Sequence, residues 1–260
     1  MESWVLPFQL LVLTLCFWAE SVIPFFPLPA RQPRLNHAAC NLGLGLLNGF
    51  ILVYGIAFLS RAAAVWAEAQ QFGILHWVVW PPLVRTLAAF LLLDLWAYAW
   101  HRCMHKTLFL WKFHRVHHCE RTLDATTAYR FHFGEVLFSS LIKIIVLPLL
   151  GVELRQWICY ELILGMILIF QHGNIALPPT AGSLLGRIIV TPDIHRLHHS
   201  DQPEETNSNY GFIFPFWDRM FGTYQPAQAG RFPNYGLPGL EESVWQTLPG
   251  LLSLPTAKIP

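Results

Sequence analysis

Charged residues are scarce in this chain of 260 residues, since Asp, Glu, Lys and Arg together make up only 13% of it. An ordinary soluble domain carries about 25%, and apolar residues here reach 54%. The formal net charge is +1, so the chain lacks the excess of Lys and Arg that a nucleic-acid-binding surface requires. This composition argues against nucleic acid as a partner and indicates an integral membrane protein.

Paired cysteines are lacking as well. The five cysteines are scattered without a C-x-x-C pair, so neither a zinc ribbon nor a disulfide framework is expected. The N-terminal segment has no positively charged stretch and no small-residue cleavage site of the kind found in a signal peptide. We therefore expect the first apolar run to remain as a membrane anchor.

Long apolar runs account for much of what is present. Crossing a bilayer takes about 20 residues, and runs that approach or reach this length lie at 4–26, 38–60, 83–100, 136–151 and 156–172. The last two are joined only by the short segment 151–155, which predicts an antiparallel helical hairpin. The expected fold is all-α, with about five apolar membrane helices and a polar, histidine-rich cap.

Positive residues are concentrated in two loops between these runs. Arg31 and Arg34 lie between the first and second runs, and a larger group lies between the third and fourth: Arg102, Lys106, Lys112, Arg115, Arg121 and Arg130. Loops of this kind remain in the cytoplasm. We expect a multi-pass protein whose N-terminus faces outward and whose histidine-rich segment and C-terminus are cytoplasmic.

Ten of the twelve histidines lie at or beyond the predicted cytoplasmic ends of helices. They are His101, His105, His114, His117, His118, His132, His172, His195, His198 and His199. Residues three or four apart share a face of a helix. The imidazoles within each of the motifs H-R-C-M-H, H-R-V-H-H and H-R-L-H-H should therefore lie on one helix face. Ten imidazoles exceed what one ion holds, and the count predicts two metals. The remaining two, His37 and His76, are expected to be interfacial side chains.

The sequence motifs resemble those of the fatty acid hydroxylase superfamily, which includes sterol desaturases. The resemblance is carried by the three motifs above together with R-F-H-F-G-E (130–135), F-Q-H-G-N (170–174) and N-Y-G…W-D-R-M-F-G-T (209–223). It implies N-terminal transmembrane helices over 1–84, a di-iron catalytic domain over 85–224 and an irregular tail over 225–260. It further implies a membrane enzyme that hydroxylates or desaturates a lipid C–H bond.

The cofactors implied by the resemblance are two iron ions, cycling between Fe2+ and Fe3+, with O2 as co-substrate. One iron would be bound by His105, His114, His117, His172 and His132, and the other by His101, His118, His195, His198 and His199. Some relatives carry a histidine four residues before the position of His172, where this chain has Leu168, and His132 is the candidate replacement, with a place in the pocket lining as its alternative role. Spacing alone would also allow zinc or another metal that binds imidazole.

Acidic residues near the histidines are candidates for supporting roles. Asp94 lies two helical turns before His101 in an apolar run, where a carboxylate is costly and functional by default, and Glu135 follows His132 by one turn. Each is expected to orient a ligand imidazole or to fix the structure around it. Within the hairpin, Lys143 and Glu161 should lie at the same depth and form an ion pair; the alternative is that each extends independently to the membrane interface.

The expected partners are a membrane lipid that enters from the bilayer and a separate electron-donor protein, because no cytochrome b5-type H-P-G-G segment is present. Two other functions compete with this one. The first is a histidine-rich membrane protein that binds or transports metal without redox activity, although transport would place polar residues throughout the span. The second is a zinc hydrolase, for which so many nitrogen ligands leave little room for an open position.

Overall fold

Helices make up this computed structural model, which describes residues 4–227 and 232–258, with the side chains of 53 and 54 excepted. In chain order the α-helices are α1 (Val5–Val22), α2 (Arg31–Ile51), α3 (Ala57–Ala69), α4 (Pro82–Lys106), α5 (Leu108–His118), α6 (Phe133–Leu150), α7 (Leu154–His172), α8 (Pro179–Leu185), α9 (Pro192–His198), α10 (Pro203–Thr206), α11 (Phe216–Met220) and α12 (Leu248–Ser253). Within the described ranges, extended pairing is limited to isolated bridges. The predicted all-α fold is confirmed.

In the part of the chain that the structure describes, four helices, α1, α4, α6 and α7, are long and apolar enough to cross a membrane. They correspond to the first, third, fourth and fifth apolar runs. The run at 38–60 differs, because α2 ends at Ile51, a π-helical turn occupies Leu52–Ile56, and α3 follows. Two buried asparagines in α2 explain its lower hydropathy: Asn41 donates to Thr126 Oγ1 and Asn48 to the Phe131 carbonyl.

The long helices define two opposite ends of the bundle. α1 ends beside residue 125, where the Glu20 carboxylate accepts from the Ala125 amide, and α2 starts at that same end. At the opposite end, Gly73 after α3 packs against the backbone of Gly151. Gly151 takes a left-handed φ of 73°, which ends α6. The chain then turns back into α7, so α4 and α7 both finish at the end where α5 and α9 lie.

The predicted ion pair of the hairpin is confirmed. Lys143 Nζ on α6 lies 2.6 Å from Glu161 Oε1 on α7, and the same oxygen accepts from Trp157 Nε1 at 2.8 Å. Both partners thus lie at one depth, as expected for helices that run in opposite directions from the turn at Gly151.

Candidate metal centre

Nine histidines converge where the bundle meets its cap. They come from four elements: α4 supplies His101 and His105, α5 supplies His114, His117 and His118, the last residue of α7 is His172, and α9 with the residue after it supplies His195, His198 and His199. All are buried except His105, which is partly exposed. A polar cluster of this density inside a protein needs partners for every ring nitrogen.

The nine rings divide into two groups whose potential ligand atoms lie within 4.8 Å of one another: His101, His105, His114, His118 and His198 form group A, and His117, His172, His195 and His199 form group B. This grouping differs from the partition implied by the resemblance. The reason is helical geometry, because residues four apart lie nearly above one another. Accordingly, the pairs His101/His105 and His114/His118 each stay within group A, and His195/His199 stays within group B.

Hydrogen bonds fix the tautomer of five of these rings. In each, Nδ1 faces an acceptor: the Tyr210 carbonyl for His101 at 2.9 Å, the Glu135 carboxylate for His114 at 3.0 Å, the Arg130 carbonyl for His117 at 3.2 Å, the Leu168 carbonyl for His172 at 2.7 Å and the Ser208 carbonyl for His198 at 2.7 Å. Since a carbonyl or carboxylate oxygen only accepts, Nδ1 carries the hydrogen in a neutral ring. The Nε2 atoms of these five rings are therefore unprotonated.

These unprotonated nitrogens face one another. In group A, His101 Nε2 lies 3.1 Å from the Nε2 atoms of both His114 and His198. In group B, the unprotonated Nε2 atoms of His172 and His117 lie 3.0 Å apart, and His195 Nε2 lies 2.9 Å from His172 Nε2. Two facing lone pairs repel unless a cation lies between them, and nitrogens about 2.1 Å from one ion at adjacent positions are about 3 Å apart. Both groups therefore fit a metal ion.

Five of the nine histidines are held neutral, which is the state that binds metal. Burial lowers the pKa of His198 to about 3. Burial, reinforced by neighbouring imidazoles, also puts the pKa of His117, His118, His195 and His199 well below the usual value. Neither nitrogen of His118 has a hydrogen-bond partner within the described ranges, so its ring is free to act as a ligand.

Glu135 and Asp94 lie at different distances from the rings. Glu135, in the first turn of α6, accepts directly from His114 Nδ1. Asp94 touches none of the nine imidazoles through a hydrogen bond that the structure describes. Its Oδ1 accepts from Tyr160 Oη and the Ile213 amide, and its Oδ2 from the Phe214 amide and Trp217 Nε1. It thus ties α4 and α7 to the segment that leads into α11.

A second carboxylate, Asp218 on α11, holds the same segment and was not singled out from the sequence. It is buried, and it accepts from the amides of Tyr210 and Gly211 and from Thr223 Oγ1, each at 2.8 Å. The segment it fixes supplies the carbonyls of residues 208 and 210, which orient His198 and His101. The available sequence signal was the W-D-R stretch that follows N-Y-G.

His132 lies outside both groups. It is the N-cap of α6, where its Nδ1 accepts from the Gly134 amide at 2.9 Å. Its Nε2 lies 3.2 Å from the Leu252 carbonyl, to which it donates. Because one nitrogen accepts and the other donates, no lone pair is left for a metal. The structure therefore does not bring this predicted ligand to the others.

His37 is not a simple interfacial side chain, contrary to the expectation from the sequence. Its Nε2 lies 3.4 Å from Glu120 Oε2 and 3.5 Å from Asp124 Oδ2. Burial alone would lower its pKa, but these two carboxylates raise the pKa of His37 to about 9. Arg130 completes the cluster by pairing with Glu120 at 3.3 Å. The cluster thus holds Arg130 in place, and the Arg130 carbonyl accepts from His117 Nδ1.

Comparisons with known proteins match the motifs. The fatty acid hydroxylase family model covers residues 86–223. Ornithine lipid hydroxylase OlsE of Rhizobium tropici is 30% identical over 71% of this chain and 55% of its own length. Alkylglycerol monooxygenase of Danio rerio is 32% identical over 80% of this chain and 45% of its own length.

Cholesterol 25-hydroxylase of Rattus norvegicus is 25% identical over 85% of this chain and 72% of its own length. The chain spans about half the length of the first two relatives. No solved structure matches it. The resemblance indicated by the histidine motifs is confirmed, because the family model covers more than half of the chain: the protein belongs to the fatty acid hydroxylase family.

Proposed function

We propose that this protein is an O2-dependent membrane oxidoreductase that hydroxylates or desaturates a lipid C–H bond at a centre of two iron ions. The single observation that carries the proposal is the convergence of nine histidines into two groups with facing Nε2 atoms. Group A would hold one ion and group B the other. Membership of the fatty acid hydroxylase family supports iron as the metal and lipid as the substrate class.

The reaction needs a reductant in addition to O2. Hydroxylation converts R–H, O2, two electrons and two protons to R–OH and water, and desaturation uses the same inputs to form an alkene and two waters. Iron supplies the activation of O2 that an unactivated C–H bond requires. We propose that a separate electron-donor protein delivers the electrons at the cytoplasmic end of the bundle, where exposed positive residues such as Lys106 and Arg121 lie.

The chain's own residues would hold the imidazoles rigidly. Glu135 orients His114, and the segment fixed by Asp94 and Asp218 orients His101 and His198 through backbone carbonyls. Metal ligands whose outer nitrogen is bonded in this way keep one tautomer and one orientation. Burial of eight of the nine rings limits the access of bulk water, which protects an oxidising centre from side reactions.

The substrate would reach the centre from the bilayer. Two membrane-spanning helices, α4 and α7, end in histidines of the centre, so a long alkyl or sterol-like body lying along them would bring a C–H bond to the metals. The named relatives act on ornithine lipid, alkylglycerol and cholesterol. These share an extended apolar body, and we propose a membrane lipid of that kind here.

A metal-transport function is the alternative, and one experiment separates it from the oxidoreductase. The full chain is purified anaerobically in detergent, its metal is measured, and lipid extracts are analysed by mass spectrometry after incubation with O2 and a reducing system. We expect about two irons per chain and a lipid gain of one oxygen or loss of two hydrogens. His118→Ala should abolish the product, whereas Lys112→Ala, the matched change on an exposed face of α5, should not. Iron far below one atom per chain without lipid oxidation would overturn the proposal.

A further inference from the structure

A cavity of about 540 Å³ lies on the far side of α9 from the metal centre. On the helix, Asp193, Arg196 and Leu197 line this cavity, whereas His195 and His198 point to the opposite face. Further lining comes from around α8, from Arg219 and Tyr224 near α11, from Phe25 and Leu177, and from Pro226, Ala227 and Pro233. The volume suits the polar headgroup of a lipid or a small metabolite.

The charge of the lining is positive. Among the described residues it contains three arginines, Arg187, Arg196 and Arg219, against one carboxylate, Asp193. Asp193 Oδ1 pairs with Arg196 Nη1 at 3.0 Å. Arg219 donates to the carbonyls of residues 186 and 187, and its guanidinium lies over the Tyr224 ring. Guanidinium groups of this kind bind phosphate or carboxylate in preference to neutral groups.

Arg196 gives an independent sign of a missing partner. The residue is 2% exposed, yet its Nε has no hydrogen-bond partner in the part of the chain that the structure describes. Its guanidinium also lies over the Phe25 ring, 3.8 Å from the centroid, and one nitrogen donates to the Ile175 carbonyl. A buried donor left unpaired costs free energy, and Arg196 is one of the residues that line the cavity.

The position of the cavity matches the depth of lipid headgroups. Phe25 and Leu177 follow within a few residues of the ends of the spanning helices α1 and α7. Next to the lining residues of the α8 region, Leu184 and Ile188 are 61% and 65% exposed, and Met220 beside Arg219 is 64% exposed. Exposed apolar side chains that border a charged cavity are typical of a surface that lies in the membrane interface.

We propose that this cavity binds the phosphate or carboxylate headgroup of an anionic lipid, with the acyl chains lying against the exposed apolar side chains of the α8 region. The site is separate from the substrate position proposed above. Because α9 forms its wall, an occupied site would also hold the helix that carries His195 and His198.

Binding is tested with the detergent-purified full chain. The protein is titrated separately with dioctanoyl phosphatidic acid, dioctanoyl phosphatidylcholine and inorganic phosphate. Native mass spectrometry counts the bound ligands, and the thermal unfolding midpoint is measured for each mixture. We expect saturable binding of phosphatidic acid at one site, at least about tenfold tighter than phosphatidylcholine. Inorganic phosphate that binds as tightly as phosphatidic acid would support the oxyanion site but overturn the lipid as its occupant.

Charge-reversal variants locate the site. Arg187→Glu should weaken phosphatidic acid binding roughly tenfold or more, as expected for loss of a charge-assisted contact. Lys112→Glu makes the same charge change on α5 outside the cavity and should leave binding unchanged. If Arg187→Glu does not fold, Ser183→Glu places a negative charge in the same lining. Equal effects of the cavity and control variants, or no preference for phosphatidic acid over phosphatidylcholine, would overturn the proposal.

Discussion

The carboxylate of Glu135 accepts a hydrogen bond from His114 Nδ1 at 3.0 Å, and this links the start of α6 to the middle of α5. The bond directs His114 Nε2 toward His101. Partners of this kind, when lost, typically lower metal affinity or activity by about 10- to 100-fold.

Replacing Glu135 should therefore separate the effect of the hydrogen bond from that of its charge. Glu135→Ala removes the acceptor, and we expect a roughly 10- to 100-fold loss of metal affinity, measured as iron retained against a chelator series. Glu135→Gln keeps an acceptor oxygen and should lose less. Glu204→Gln, an exposed position, is the control. Equal iron retention by Glu135→Ala and the unaltered protein would contradict this role.

Asp94 should act through the segment it holds. Four donors face its two oxygens, and Asp94→Asn would turn an NH2 group toward one pair of them. Each buried donor left unpaired costs about 1–3 kcal/mol, so the unfolding midpoint and the iron content should both fall. Trp217→Phe removes a single donor and should have a smaller effect on both. A variant that loses stability but keeps its full iron content would limit Asp94 to a purely structural role.

The ion pair between Lys143 and Glu161 predicts non-additive substitutions. Either residue alone would leave an unpaired charge in a spanning helix, at a cost of about 2.5–3.5 kcal/mol at the bilayer centre and less toward the interface. Lys143→Leu and Glu161→Leu should each lower the yield of folded protein, and the double variant should recover much of the loss. The measurement is the monodisperse fraction after detergent extraction, and additive losses would show that the two charges act independently.

The cluster around His37 should make stability depend on pH in the alkaline range. Its pKa is raised in the folded state to about 9, above about 6.5 in an unfolded chain. Protonated His37 therefore stabilises the fold fully below pH 6.5, and this contribution disappears as pH rises through 9. Glu120 and Asp124 raise this pKa, and Arg130 opposes them. The difference between the folded and unfolded pKa values of His37 corresponds to about 3 kcal/mol of folding free energy.

The substitution His37→Gln tests this pH dependence. Unfolding midpoints measured from pH 6 to 10 should fall steeply between 7 and 9 for the unaltered protein and much less for the variant. His76→Gln is the matched control, because burial and the neighbouring Arg85 lower the pKa of His76 rather than raise it. A parallel decline in all three proteins would assign the pH dependence to other groups.

Particular residues show which features of the site can be predicted from the sequence. The imidazoles of α4, α5 and α9 were predicted to point together because their spacing of three and four residues is a local property of a helix. Their division between two groups depends on how the helices pack, and so does the pairing of Asp94 with Phe214, which lies 120 residues away. His37 was misassigned for the same reason, since its carboxylate partners come from a distant segment.

His132 and His118 offer the sharpest test of the ligand set, because the sequence pattern treats them alike and the structure does not. Asparagine at 132 can still cap α6 through its side-chain oxygen, so His132→Asn should retain the iron content of the unaltered protein. His118→Asn removes a ring of group A with no other described partner and should reduce the iron content by about one atom per chain. Metal analysis of the two variants, prepared side by side with matched unfolding midpoints, measures the difference. Iron loss in His132→Asn equal to that in His118→Asn would return His132 to the metal centre.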